Sequence, residues 1–475
     1  MATQRLNFGE WMPDQPPLSG GLSEAKNVIP TATGYAPFPT PVDLSDAADA
    51  TLLNVVAAKF AGSTTLFAGS ATKLYKFATN DMDMDNVSKS GDYSSVARWR
   101  FTTFGNKLIA ACKQAKLQAW TLNSSSLFAD LNAAAPQAQY VTTVRDFVVA
   151  GNVASYENKV YWSDINDSAD WTAGSGSQAD TQVIPDGGDI VGLTGGEFGL
   201  VLLEKAIVRM HYVGAPFFFQ FDVISRNIGC MEPNSVIQYG NNTFFLSEGG
   251  FYMCNGSHLT PIGTQKVNNF FFENANAGSY ADMSAAVDPE KNLILWSYTN
   301  TANTKSILIY NYQLNRWSQA DTTATILATA ATATTTLEAL DNYSASLDAL
   351  ETSLDSRLWA GGQFILAGAD DTKLVTFSGV ASTAELITGD IEVAGQNTVV
   401  QLARPRVNNG SGSVSVASRF RADEAVTYSD ATAATTENRV PLRSVGRYHR
   451  LKLTPSGSWT DALGVDVEMA STGER

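Results

Sequence analysis

The sequence predicts a mainly β protein organised around a β-propeller of about six blades. Three observations carry this. Short apolar runs follow Gly- or Asn-containing turns repeatedly between about residues 45 and 380. The runs return at steps of about 40–50 residues, the length of one four-stranded propeller blade. Only 17% of residues are charged, below the roughly 25% usual in soluble domains, with Ala, Thr, Ser, Gly and Asn in their place. A large β-sandwich is the rival architecture.

Residues 1–44 read as an extended N-terminal arm. Pro13, Pro16, Pro17, Pro30, Pro37, Pro39 and Pro41 fall here, with Gly20, Gly21 and Gly34. Proline fixes φ and lacks a donor, which disfavours a helix. The same stretch holds Leu6, Phe8, Trp11, Leu22, Val28, Ile29, Tyr35 and Phe38. A free linker has no use for so many large apolar groups, so the arm is expected to lie on a folded surface, its own or a neighbour's.

Residues 45–380 carry the propeller pattern. Thr65-Leu66-Phe67-Ala68-Gly69 is followed by Lys73-Leu74-Tyr75-Lys76-Phe77, and Gly105-Asn106 leads into Lys107–Ala111. Glu157-Asn158 precedes Val160-Tyr161-Trp162, and Gly195-Gly196 precedes Leu200–Leu203. Gly240-Asn241-Asn242 and Pro289-Glu290-Lys291-Asn292 introduce two further runs. Such turns are hairpin signals.

An insertion is expected at about 322–358. Thr322–Thr336 is an Ala/Thr tract with little drive towards fixed structure. Behind it Leu337, Leu340, Tyr343, Leu347, Leu350, Leu354 and Leu358 recur at nearly helical spacing, which suggests a helix on a sheet face or a docking loop. Residues 381–475 alternate polar and apolar positions around turns such as Asn408-Asn409-Gly410. They read as a small C-terminal β-sandwich or barrel-like domain.

The chain has 32 basic and 47 acidic groups, a net charge of -15, which excludes a bulk basic nucleic-acid binder. The distribution is uneven. Residues 401–455 hold nine basic groups, among them Arg443, Arg447 and Arg450, against four acids, a locally basic stretch suited to a solvated strand face with interface salt bridges, or to contact with an acidic neighbour or a nucleic-acid backbone. Three cysteines in a long chain do not make a disulfide framework. No apolar run approaches the roughly 18 residues of a membrane span, so no membrane insertion is expected.

Catalytic motifs give no purchase. No G-x-S-x-G, phosphate loop or H-E-x-x-H occurs, and His211, His258 and His449 are far apart. Asp81–Asp92 superficially resembles a calcium loop but lacks the sixth-position Gly and the bidentate Glu at the twelfth. No cofactor and no enzymatic activity are expected. Trp162, Trp171, Trp296 and Trp317 are the aromatics that a glycan-binding propeller would present, although their positions in strand patterns suit packing.

Four segments together resemble a known family. They are Asn7-Phe8-Gly9-Glu10-Trp11-Met12-Pro13-Asp14 with Lys26–Pro30 and Gly34–Pro37; Val160–Asp164 with Asp170-Trp171; Ser353–Gly362; and Val445–Leu453. The resemblance is to the packaged-DNA stabilisation proteins of short-tailed phages, also called tail nozzle or tail accessory proteins. It implies a virion subunit, assembled in the host cytoplasm as a homo-oligomer (a hexameric ring) below the portal and adaptor. Such a ring continues the DNA channel, touches genomic DNA transiently, helps retain the genome and offers docking sites to tail needle, fibre or spike proteins. Trp11, Tyr35 and Phe38 of the arm, Leu347 and Leu354 of the stripe, and Arg443, Arg447 and Arg450 are the candidate interface residues. The alternatives are a carbohydrate- or receptor-binding propeller at the tail tip and a polysaccharide-cleaving enzyme.

Overall fold

The computed structural model describes residues 2–79, 81–174, 176–332, 346, 362–393 and 395–472. The chain is mainly β. Its helical elements, among the described residues, are Asn268–Asn274 and two 3-10 turns, Pro233–Ser235 and Ala277–Asp282.

Seven four-stranded antiparallel meanders recur among the described residues. Their first strands are Leu52–Phe60, Arg100–Phe104, Ala138–Val144, Ile190–Thr194, Ile237–Tyr239, Ser284–Asp288 and Ile326–Ala331. Apart from the fourth and fifth, these strands lie beside one another in chain order and return from the seventh to the first, in propeller fashion. The fourth and fifth units are tied by Thr194 and Thr243, whose hydroxyls are 3.0 Å apart. Turn chemistry follows the sequence. Asn292 and Asn315 close two hairpins of the sixth unit with φ of 59° and 53°, a conformation Asn tolerates better than most residues.

The seventh unit joins the end of the propeller segment to the arm. Ile326–Ala331, Phe364–Asp370 and Lys373–Ala381 supply three strands, and Pro39–Asp43 of the arm adds the outer one. Thr376 pairs with Val42 and Phe377 with Pro41. An outer edge is where strand prolines are tolerated, because no further neighbour needs their missing N–H.

Part of the expected insertion is therefore propeller. The Ala/Thr tract contributes Ile326–Ala331, and Ile326, Leu327, Ala328, Ala330 and Ala331 are all buried. Small side chains fit where this strand packs closely between the first strands of the sixth and first units. Residues 333–345 and 347–361, including Leu347 and Leu354, lie outside the described residues.

The rest of the arm is spread over its own chain. Ala2–Asn7 pairs with Asp461–Ser471, and Val28–Pro30 forms a hairpin with Tyr35–Pro37. Leu22–Lys26 pairs antiparallel with Glu385–Thr388 and meets Arg316–Asp321 of the sixth unit through Lys26 and Gln319. One sheet thus runs from the sixth unit through the arm into the C-terminal region. There Glu385–Thr388, Tyr448–Ser456 and Ser411–Arg419 form one layer. Thr398–Asn408, Val440–Gly446 and Asp461–Ser471 form the other. The layers bury Val400, Ala403, Val414, Val440, Leu451, Leu453, Val465 and Val467.

Candidate functional site

The predicted interface residues separate into three groups. Trp11, Tyr35 and Phe38 are buried within the chain itself. Trp11 meets Phe270 edge-on at 4.9 Å, Tyr35 donates its hydroxyl to the Gly9 carbonyl at 3.0 Å, and Phe38 packs on Phe377 at 5.6 Å. Their apolar surface is covered by the rest of the same chain. The arginines are mostly engaged too. Arg447 Nε donates to Glu392 at 2.6 Å and Arg450 Nε to the buried side chain of Asp390 at 2.5 Å. Arg443 is exposed and has no ion-pair partner among the described residues. The locally basic stretch is thus largely neutralised by Glu385, Asp390 and Glu392, which lie just upstream of it.

The other singled-out residues are structural. Trp162, Trp171, Trp296 and Trp317 are buried. Trp296 and Trp317 stack at 5.8 Å and donate to the carbonyls of Ser235 and Ile262. His449 is buried between Thr398 and Ser418, each 2.7 Å from a ring nitrogen. Burial lowers its pKa below the ordinary histidine value. Cys112, Cys230 and Cys254 are buried free thiols, and burial pushes Cys230 up to about 12, far from a reactive thiolate. Among the described residues, no group of three His, Cys, Asp or Glu is placed to hold a metal ion.

The ring axis is crossed at one mouth. Arg100, at the start of the second inner strand, donates to the Pro233 carbonyl at 3.1 Å and to Asn234 at 2.7 Å, before the fifth. Arg98 donates to the Met283 carbonyl at 3.1 Å, before the sixth. These bonds join units on opposite sides of the ring. Burial lowers the pKa of Arg98 to about 9, with Arg100 nearby adding to the effect.

Another feature escaped the sequence reading. In each meander, the ends of strands one and three and the starts of strands two and four share a face. Leu127, Val213, Phe217, Tyr239, Leu314 and Phe364 all sit at such positions and are all exposed, Phe217 by 78% and Phe364 by 57%. Exposed Asp81, Asp83, Asp146, Asp167 and Glu197 occupy turns of the same face. Four sheets, the second, fourth, fifth and sixth, and the seventh beside them, each contribute an apolar group. That signal needs the strand order, because the residues are scattered over 238 positions (127 to 364) of sequence.

No family model and no curated protein matches this chain. Solved structures align over much of it at low identity. A chain of a mitotic checkpoint complex is 12% identical, covers 74% of this chain and 97% of its own length, and has a TM-score of 0.39. YCF48 bound to a D1 peptide is 12% identical, with coverages of 60% and 86% and a TM-score of 0.36. The computationally designed Ika8 protein is 11% identical, with coverages of 70% and 99% and a TM-score of 0.34.

Proposed function

We propose that this chain is a structural subunit of a short-tailed phage tail, a seven-bladed propeller that assembles as a hexameric nozzle ring below the portal and adaptor. The ring would continue the DNA channel, help retain the packaged genome and offer docking sites for tail needle, fibres or spikes. The observation that carries this reading is the apolar loop face. Large exposed apolar groups from five units gathered on one face mark an interaction surface, while Leu18, Tyr156, Val183, Val223, Phe420 and Val445 are exposed elsewhere. A head-to-tail contact repeated around a closed ring would cover that face in every subunit.

Two further features support the reading. The propeller axis is bridged by Arg98 and Arg100, so a DNA conduit belongs to the assembly and not to the single subunit's axis. The acidic excess, 39 acids against 22 basic groups in residues 1–400, suits a conduit that lets phosphate pass without holding it. Electron microscopy of tails containing the chain tests the proposal. A six-fold ring on the portal axis supports it, and a peripheral trimer or a monomer on a fibre overturns it.

A further inference from the structure

The cleft between the sixth propeller unit and the C-terminal sandwich holds two arginines without counter-ions. It encloses about 730 Å³, and Asn7, Glu10, Arg316, Arg406, Asn408 and Asp461 are among its lining residues. Clefts of this size at domain joints are common small-molecule sites. Arg316 comes from the propeller and Arg406 from the sandwich.

Arg316 is only 8% exposed. It donates Nη1 to the Thr31 carbonyl at 2.5 Å and Nη2 to the carbonyls of Gly9 at 2.7 Å and Phe8 at 3.5 Å. The Tyr35 ring lies 5.0 Å from its guanidinium. Its Nε is buried with no acceptor, and no carboxylate of the described residues reaches ion-pair distance. A buried charge held only by neutral dipoles is costly unless something compensates it. Arg406 donates Nη1 to Asn7 Oδ1 at 2.6 Å and likewise has no carboxylate partner among the described residues. The neighbouring arginines differ. Arg404, Arg419, Arg447 and Arg450 are each paired to an acid. Glu10 does not neutralise the cleft, because Lys266 holds it at 3.0 Å.

We propose that this cleft binds an oxyanion, the carboxylate or phosphate group of a small ligand, between Arg316 and Arg406. Arginine forks match both groups, and a charge-assisted bond in a partly buried cleft is stronger than a neutral one. Asp461 and Asn408 supply acceptors for hydroxyl groups on the same ligand. A sugar acid and a phosphate ester share this chemistry.

Calorimetric titration of the full-length protein separates the two sources, using inorganic phosphate, glucuronate and, as the neutral control, glucose. Saturable binding of phosphate or glucuronate is expected, with glucose silent. Arg406→Gln should weaken that binding about tenfold or more, the loss of one charge-assisted contact, while its ligand-free melting temperature stays at the wild-type value. Arg316→Lys, which keeps the charge and loses the fork, should also weaken binding. Response to phosphate alone identifies a phosphate site, and response to glucuronate alone a sugar-acid site. Silence towards both overturns the proposal, as does equal binding of glucose or unchanged affinity in Arg406→Gln.

Discussion

Arg450 Nε donates to Asp390 Oδ1 at 2.5 Å inside the C-terminal sandwich, where the Asp390 side chain is 3% exposed. Arg419, 5% exposed, donates to the same carboxylate. One buried acid therefore serves two arginines on neighbouring strands, Tyr448–Ser456 and Ser411–Arg419. Asp390→Asn would leave both guanidinia without a counter-ion. The expected loss is about 3–5 kcal/mol, the usual cost of breaking a buried pair. Chemical denaturation followed by tryptophan fluorescence measures it, and a loss below about 1 kcal/mol would show the triad to be solvated.

His449 makes the sandwich sensitive to acid. Its folded pKa lies below the ordinary value near 6.5 because burial disfavours the imidazolium. The unfolded chain takes up this proton near pH 6.5 and the folded chain only at lower pH. Stability from this group is complete above about pH 6.5 and falls as pH drops towards the folded pKa. His449→Gln, which still offers a donor and an acceptor to Thr398 and Ser418, should have a flatter melting-temperature profile between about pH 5 and 7. Parallel profiles for the two proteins would refute the assignment.

The arm is part of the fold, not an appendage. Deleting residues 1–43 removes the outer strand of the seventh unit and the strand that joins the propeller to the sandwich. The product is expected to be insoluble or to unfold without a cooperative transition. Phe38→Ala alone should cost about 3–5 kcal/mol, as for other buried aromatics. A truncated protein that melts as sharply as the full chain would contradict the strand assignments.

The exposed face gives the opposite phenotype. Phe217→Asp and Phe364→Ser replace residues that are largely in solvent, so stability should change by less than about 0.5 kcal/mol. Self-association should fall sharply. Sedimentation velocity of the variants against the parent protein reads this, and unchanged association in both would remove the face from the ring contact.

Much of the strand content was legible in the sequence, because turn and run coincide. Val160-Tyr161-Trp162 falls in the strand Tyr156–Trp162, and Lys73–Phe77 covers Leu74–Phe77. The unit that closes the ring was hidden for a physical reason. Its inner strand has only Ile326 and Leu327 as large apolar residues before an Ala/Thr run that gives little hydrophobic signal, and its outer strand is more than 280 residues upstream at Pro39–Asp43. Short-range periodicity does not register a partner at that distance. The candidate site was less legible still. The apolar content of Trp11, Tyr35 and Phe38 is visible in the sequence, but which surface they cover is decided by tertiary pairing. The charge of Arg447 and Arg450 is equally visible, yet Glu392 and Asp390 neutralise them from the preceding segment. Phe217 and Phe364 share a face only once the strand order is known.

The central claim is that subunits close into a ring through the apolar loop face. A reconstruction of the purified full-length assembly by electron microscopy tests it most directly. The account predicts a closed six-fold ring in which each subunit shows seven blades and the loops carrying Phe217, Leu314 and Phe364 are covered by a neighbour. Particles that remain single subunits at every concentration, or a ring whose contacts leave that face in solvent, would contradict it.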